Sequence, residues 1–229
     1  MNLTKILSDG CTITTSGTTG IPKEIIQSPT KLKAADEIAI KCQEITPDSK
    51  IYTICKLDHA GGLLAQTLPA VRIGAEVTVE PFNAFRFCRE IKKYSHTHIT
   101  PGHARLIMRT KGFKDLDMSG VWVTCGSDPI DWNIIESFVE RGATFMANWG
   151  MTEVGPCAIN HVFRTIEDVR EVKDENTILG TNEYCETNII DNELYVRGDI
   201  CVYDDWFATG DLVELKGDVL YYLKRKHNK

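Results

Sequence analysis

The stretch from Thr14 to Lys23, TTSGTTGIPK, packs five hydroxyls and two glycines into seven residues and then adds a proline and a lysine. Glycines let a backbone turn tightly and present its N–H groups, hydroxyls add donors and a lysine adds a point charge, so this order of residue types suits a polyphosphate. It is not a Walker loop, which needs Gly-Lys-Ser/Thr leading directly into a helix; Pro22 and the apolar pair Ile25-Ile26 point to a hairpin instead. A ligand-free Gly/Thr-rich hairpin turn is the plain alternative. A second stretch, Asn148-Trp149-Gly150-Met151-Thr152-Glu153-Val154-Gly155, follows the apolar run Ala143 to Ala147. A glycine-containing turn just past the carboxyl end of a strand is where an open α/β sheet binds ligands. There Trp149 can stack on a base or wall a pocket, Thr152 can donate to a phosphate, and Glu153 can hold Mg²⁺ together with phosphate oxygens. Taken singly, the tryptophan reads equally as core and the glutamate as a helix cap. A third stretch, Trp206 to Leu212, sets Asp211 on a tight turn, where a carboxylate suits the two hydroxyls of a ribose. Arg225, in the terminal Lys224-Arg225-Lys226, can bond the same sugar or its phosphate. An ordinary turn and a solvated basic tail are the alternative there.

Other chemistry is weakly signalled. His59, in Lys56-Leu57-Asp58-His59-Ala60-Gly61-Gly62, opens a helix after a strand, with Asp58 as a candidate cap. His96, His98 and His103 have the cadence of metal ligands, but no cysteine or carboxylate cluster completes a set, so the trio is read as structural. There is no Ser-His-Asp order and no nucleophile elbow. The eight cysteines, at 11, 42, 55, 88, 125, 157, 185 and 201, are never closer than 13 residues and form no CxxC, which points to free thiols in a reducing cytosol rather than a zinc or disulfide framework. Cys55 and Cys125 end strand-like runs and read as small core residues.

Positioning these stretches requires a scaffold, and the pattern supplies one. Strand-like runs at 11 to 15, 51 to 55, 75 to 79, 97 to 100, 120 to 125 and 143 to 147 alternate with helix-length segments Pro29 to Gln43, Gly61 to Ile73, Phe82 to Tyr94, Pro101 to Thr110 and Pro129 to Arg141. Ser28 with Pro29 behind it marks a helix start, and Gly74 and Gly142 mark helix ends. Such alternation predicts an α/β fold: a mostly parallel sheet with helices on both faces. Beyond about residue 155 short strands follow one another, at Cys157 to Phe163, Glu186 to Ile190, Glu193 to Arg197, Leu212 to Leu215 and Val219 to Leu223. Asp191-Asn192 and Lys216-Gly217-Asp218 give hairpin turns. The charged Arg164 to Asn176 reads as a short helix or a loop. The expected division is an α/β body over 1–155 and a smaller antiparallel β region over 156–229. With 229 residues, 42% hydrophobic and 25% charged, the chain has the composition of a globular protein able to bury its own core. A net charge of −6 argues against nucleic acid and anionic lipid as partners, and the absence of a long apolar run argues against a membrane span, so the cytoplasm is the expected location.

Six segments in this order resemble the adenylate-forming superfamily of acyl-CoA synthetases, luciferases and peptide-synthetase adenylation domains. TTSGTTGIPK resembles its hydroxyl-rich phosphate loop, NWGMTE its Tyr-Gly-x-Thr-Glu motif with Trp for Tyr, and ATGDL its Thr-Gly-Asp motif. LDHAGGLLAQTLPAVRIGAEV is similar to its Pro-x-x-His helix and following strand, VTCGSDPI to its Gly-Gly-x-Pro segment, and NELYVRGDICV to its Gly-Glu-Leu-x-x-Arg-Gly hairpin. The resemblance implies ATP and Mg²⁺ binding and transfer of AMP to a small carboxylic acid, with coenzyme A as an acceptor. It implies that Thr15, Ser16, Gly17, Thr18, Thr19, Gly20 and Lys23 enclose the triphosphate, that Trp149 lies against adenine and the acyl pocket, that Thr152 touches the α-phosphate and that Glu153 holds Mg²⁺. Asp211 and Arg225 would hold the ribose, and His59 would wall the acyl and thiol side. Lys23, Thr152 and Glu153 are the residues expected to act in catalysis. The sequence departs from the family too. Glu24 replaces a glycine after Lys23, and the chain stops at LKRKHNK, within the family's Gly-Arg-x-x-Asp hinge, with no long segment ahead of the phosphate loop. The expectation is a stripped-down core that turns over weakly, serves as one subunit of a split ligase completed by a separate chain, or only binds ATP, AMP or an acyl adenylate.

Overall fold

The computed structural model describes residues 1–15 and 23–226. A hairpin of β1 (Cys11–Thr15) and β2 (Lys23–Gln27) follows a short helix, Leu3–Asp9, that the sequence pattern did not announce. The central sheet holds β3 (Lys50–Thr53), β4 (Glu76–Val79), β5 (His96–Ile99), β6 (Trp122–Cys125), β7 (Thr144–Met151) and β8 (Gly155–Phe163). Then come β9 (Thr177–Gly180), β10 (Asn182–Glu183), β11 (Glu186–Ile190), β12 (Glu193–Arg197), β13 (Phe207–Lys216) and β14 (Val219–Arg225). The seven-stranded sheet runs β10-β8-β7-β6-β5-β3-β4, and its β4-β3-β5-β6-β7 part is parallel. The five-stranded sheet, β11-β12-β13-β14-β9, is antiparallel. An α/β body with helices plus an antiparallel sheet is thus the observed fold.

The longer helices form where the sequence signals them. Ser28 accepts a hydrogen bond from the Lys31 N–H and Pro29 takes the first turn of Pro29–Cys42, where its missing N–H costs nothing. Gly74, at φ 79°, closes the helical run that begins at Ala60, and a π turn at Leu63–Thr67 interrupts that run. Strand alternation then sorts the core onto two faces. Val123 and Cys125 of β6 pack with Phe87, Ala104, Ile107, Ile134 and Phe138 on one side, while Trp122 joins Ala39, Cys42 and Ala65 on the other. On that second side Thr124 donates to Gln43 Oε1 at 2.6 Å, and Gln66 Nε2 donates to the same oxygen at 2.9 Å, so the side-chain oxygen of Gln43 accepts two hydrogen bonds in the core.

One placement differs from the sequence expectation. The strand at 157 to 163, expected in the smaller β region, continues the central sheet as β8, antiparallel to β7. Composition could not assign it, because a strand flanked by a hairpin partner looks the same in either sheet. The charged segment contains a helix, Ile166–Val172, with a reciprocal capping box between Thr165 and Asp168. The two expected hairpins are present, with Asp191 and Asn192 at φ 50° and 64° and Gly217 at 65°. Leu179, Leu194, Val196, Val213 and Leu220 of the second sheet pack against Trp149, Val154, Ala158 and Ile159 of β7 and β8. That shared core brings β13 and β14 to the tip of β7. Among the described residues no helix is long and apolar enough to cross a membrane.

Candidate active site

In the parallel part of the sheet the chain goes outward from β3 to β4 and then returns across it to β5, so the strand order reverses between β3 and β5. The carboxyl ends of strands at such a reversal diverge and leave a crevice. A cavity of about 710 Å³ opens there, walled by Ile13, Thr14 and Thr15 of β1, by the carboxyl ends of β5, β6 and β7 and by residues of β9, β13 and β14.

At the β7 end the wall is charged and internally bonded. Trp149, 8% exposed, donates its indole N–H to Asp211 Oδ2 at 3.0 Å, and Arg225 Nη1 donates to Asp211 Oδ1 at 2.7 Å. Asp211 and Arg225 are direct cross-strand partners on β13 and β14. Gly210 between Thr209 and Asp211 takes φ 75°, and a side chain there would meet the guanidinium at 3.4 Å, so glycine serves both the turn and the approach of Arg225. The turn is fastened from behind. Thr209 donates to the Leu194 carbonyl at 2.7 Å and accepts from the Asp211 N–H at 3.1 Å, while Glu193 accepts from the Gly210 N–H at 3.2 Å and from Lys226. The 149–153 segment is held in the same way. The buried Gln27 donates from Nε2 to the Thr152 carbonyl at 2.7 Å, and the Val202 N–H donates to the Glu153 carbonyl at 2.9 Å. Thr152 and Glu153 both line the cavity.

At the other end exposed Lys56, Asp58 and Asp128 line the cavity together with His59 and the buried His98. His59, exposed and on the cavity, is the residue that precedes the Ala60–Gly62 turn of helix; no side chain caps that helix, so Asp58 does not play the cap role expected of it. His98 is 5% exposed, and its burial, with lesser contributions from His103 and His59, pushes the imidazole down to about 3, leaving it neutral near pH 7. Cys55 Sγ lies 3.3 Å from the His98 carbonyl, 3.5 Å from His98 Nδ1 and 3.6 Å from His103 Nδ1, and burial pushes this thiol up to about 12. His96 bonds Ser95 Oγ and the Gln43 carbonyl, and His103 belongs to the capping box of the helix after Thr100. Each member of the histidine trio thus has a packing or capping role. Among the described residues no three His, Cys, Asp or Glu groups are placed to hold a metal.

The structure therefore gathers Thr15, His59, Trp149, Thr152, Glu153, Asp211 and Arg225 around one cavity. Lys23 starts β2, paired with Thr15 and exposed, and is not part of the described wall. Ser16, Gly17, Thr18, Thr19 and Gly20 lie outside the described residues. Sequence reading gave no site role to Gln27, Asn148, Ser127 and Tyr222 and read His98 as structural. Asn148 and Ser127 lie within stretches it singled out, NWGMTE and VTCGSDPI, whereas Gln27, His98 and Tyr222 reach the site through strand pairing.

The family model for AMP-binding enzymes matches residues 11–210, and the chain belongs to that family. An indoleacetate–CoA ligase from Aromatoleum aromaticum is 30% identical over 152 residues, covering 63% of this chain and 29% of the relative. A putative acyl-coenzyme A synthetase from Emericella nidulans is 25% identical over 252 residues, covering 94% of this chain and 45% of the relative. This chain thus spans less than half the length of either. Among solved structures, the inhibitor-bound N-terminal domain of FACL13 from Mycobacterium tuberculosis superposes with a TM-score of 0.78 at 17% identity, over 93% of this chain and 60% of that one. The O-succinylbenzoate coenzyme A synthetase of Bacillus subtilis, in complex with AMP, gives 0.78 at 19% identity, over 96% and 50%. These likenesses establish the fold.

Proposed function

We propose that this chain binds ATP and a small carboxylic acid in the described cavity and joins them as an acyl adenylate, the activated form from which a thiol such as coenzyme A would take the acyl group. The observation that carries the reading is the convergence of Trp149, Thr152, Glu153, Asp211 and Arg225, from two sheets, on one wall of the crevice. Asp211 and Arg225 would take the ribose hydroxyls, Trp149 would cover the adenine, and Thr15, Thr152 and Lys23 would meet the phosphates. In the reaction an acid oxygen attacks the α-phosphorus, the bond to the bridging oxygen breaks, and pyrophosphate leaves with the electron pair. Residues already fixed by the Gln27, Val202 and Glu193 bonds would hold the reacting groups in line with little reorganisation.

Mg²⁺ fits this wall: Glu153 lines the cavity beside Thr152, and magnesium is typically held by one or two carboxylates with substrate phosphates and water. Bound there, it would neutralise charge on the phosphate oxygens. The likeness to coenzyme A ligases supports an acid as the second substrate. The test is acid-dependent exchange of labelled pyrophosphate into ATP across a panel of acids. Exchange with at least one acid, and none without, supports adenylation. Nucleotide-dependent thermal stabilisation without exchange for any acid would replace it with the binding-module reading.

A further inference from the structure

The His98 end of the cavity contains a polar pair that nucleotide recognition leaves unused. His98 Nε2 has no hydrogen-bond partner among the described residues, although the side chain is 95% buried and lines the cavity. Across from it stands Ser127, also on the cavity and held at φ 80°, a left-handed conformation that disfavours every residue with a Cβ. The two converge on one point. A methyl group on Gly61 would lie 2.9 Å from His98 Cε1, 3.6 Å from His98 Nε2 and 3.1 Å from Ser127 Oγ, so both side chains pack closely against Gly61 and are neighbours on this stretch of the cavity wall.

The tautomer of His98 follows from its neighbours. The single proton of Cys55 has its shortest contact with the His98 carbonyl, at 3.3 Å, and His103 Nδ1 already accepts from the Thr100 N–H. His98 Nδ1, 3.5 Å from Cys55 Sγ, therefore faces a sulfur lone pair and carries its own proton, which leaves Nε2 as a bare acceptor toward the cavity. The depressed imidazole keeps that lone pair free at neutral pH.

We propose that His98 Nε2 and Ser127 Oγ, side by side against Gly61 on the cavity wall, select a carboxylic acid that bears a hydroxyl group on the part remote from its carboxylate. The hydroxyl donates to His98 Nε2 and accepts from Ser127 Oγ. An acid that is purely hydrocarbon at this end would leave a buried acceptor dry and unbonded, a penalty on the scale that separates substrates strongly in polar sites. The inference rests on the reading of the cavity as an acid-activating site, and the experiment separates the two.

Calorimetry on the whole 229-residue chain first measures ATP binding with Mg²⁺. It then measures, in the presence of ATP, matched pairs: 4-hydroxybenzoate and benzoate, 4-hydroxyphenylacetate and phenylacetate, 6-hydroxyhexanoate and hexanoate. For at least one pair the hydroxy acid is expected to bind about tenfold tighter. Ser127→Gly, which removes Oγ and relieves the left-handed strain, should fold at least as well as wild type and cut that preference to about threefold or less. His98→Gln should do the same if it folds. Failure to bind ATP sinks the adenylation reading itself. With ATP bound, equal affinities within every pair, absence of binding by every acid, or a preference that survives in Ser127→Gly overturns the hydroxy-acid assignment while leaving the nucleotide site intact.

Discussion

The two ends of the cavity solve different problems. At the Trp149 end an anionic carboxylate sits between an indole N–H and a guanidinium, contributed by β7, β13 and β14, so two sheets must dock before the site exists. At the His98 end the buried imidazole is neutral, and it and Ser127 come from the tips of β5 and β6 beside the helix start at Gly61, from the parallel sheet alone. The first end is preorganised by bonds the protein makes to itself; the second is defined by a bond the protein does not make. Charge-assisted pairing suits a constant partner such as a ribose, whereas an unpartnered neutral acceptor suits discrimination among variable partners, because its satisfaction depends on what arrives.

The largest effect expected from breaking this contrast is at Asp211. Asp211→Asn should weaken ATP and AMP alike by about tenfold to a hundredfold, since a charged acceptor is worth roughly 1.5 to 3 kcal/mol, and should leave the acid preference untouched. Loss for ATP with AMP unchanged would move Asp211 from the sugar to the phosphates. Next in size is acid sensitivity. Burial holds folded His98 near 3 against an ordinary value of about 6.5, so below pH 6.5 the unfolded chain takes a proton that the native one refuses. Stability is full above that pH and falls steadily as the pH drops toward 3, with about 2 kcal/mol lost by pH 5. Denaturant titrations of wild type and His98→Gln at pH 7 and 5 should show the smaller loss in the variant; equal losses would show that His98 does not stay neutral. Gly61→Ala should reduce acid affinity about tenfold with nucleotide affinity unchanged, because its methyl group would press on His98 and Ser127 and push them out of position. The smallest effect is expected for Trp149→Phe, which keeps the apolar face and removes one donor from Asp211. About a fivefold loss in nucleotide affinity is expected, as Arg225 still pairs with the carboxylate.

Why the two ends differ in legibility follows from their construction. The α/β alternation, the helix starts at Ser28-Pro29 and the stops at Gly74 and Gly142 are local, and local rules read them. The Trp149–Glu153 and Thr209–Asp211 stretches were legible for the same reason, since each is a short run of chemistry-bearing residues on one turn. That Trp149 bonds Asp211 across 62 positions was not, because it depends on how the second sheet packs on β7 and β8. His98 was read as structural from its place on a short strand. Its ring does sit in the core, yet the open edge at Nε2 appears only when Gly61 and Ser127 are brought beside it. Placing β8 in the smaller region had a similar origin: the pairing partner, not the composition, decides which sheet a strand joins.

The claim that one cavity joins both ends is tested most directly by a stable acyl-adenylate mimic in which a sulfamate links adenosine to a hydroxy acid. If both ends are occupied together, the mimic should bind at least about a hundredfold tighter than AMP, because linking converts the second contact into an intramolecular one. Asp211→Asn and Ser127→Gly should each remove part of that gain. A mimic that binds no tighter than AMP, in a protein that binds AMP well, would contradict the single-cavity account.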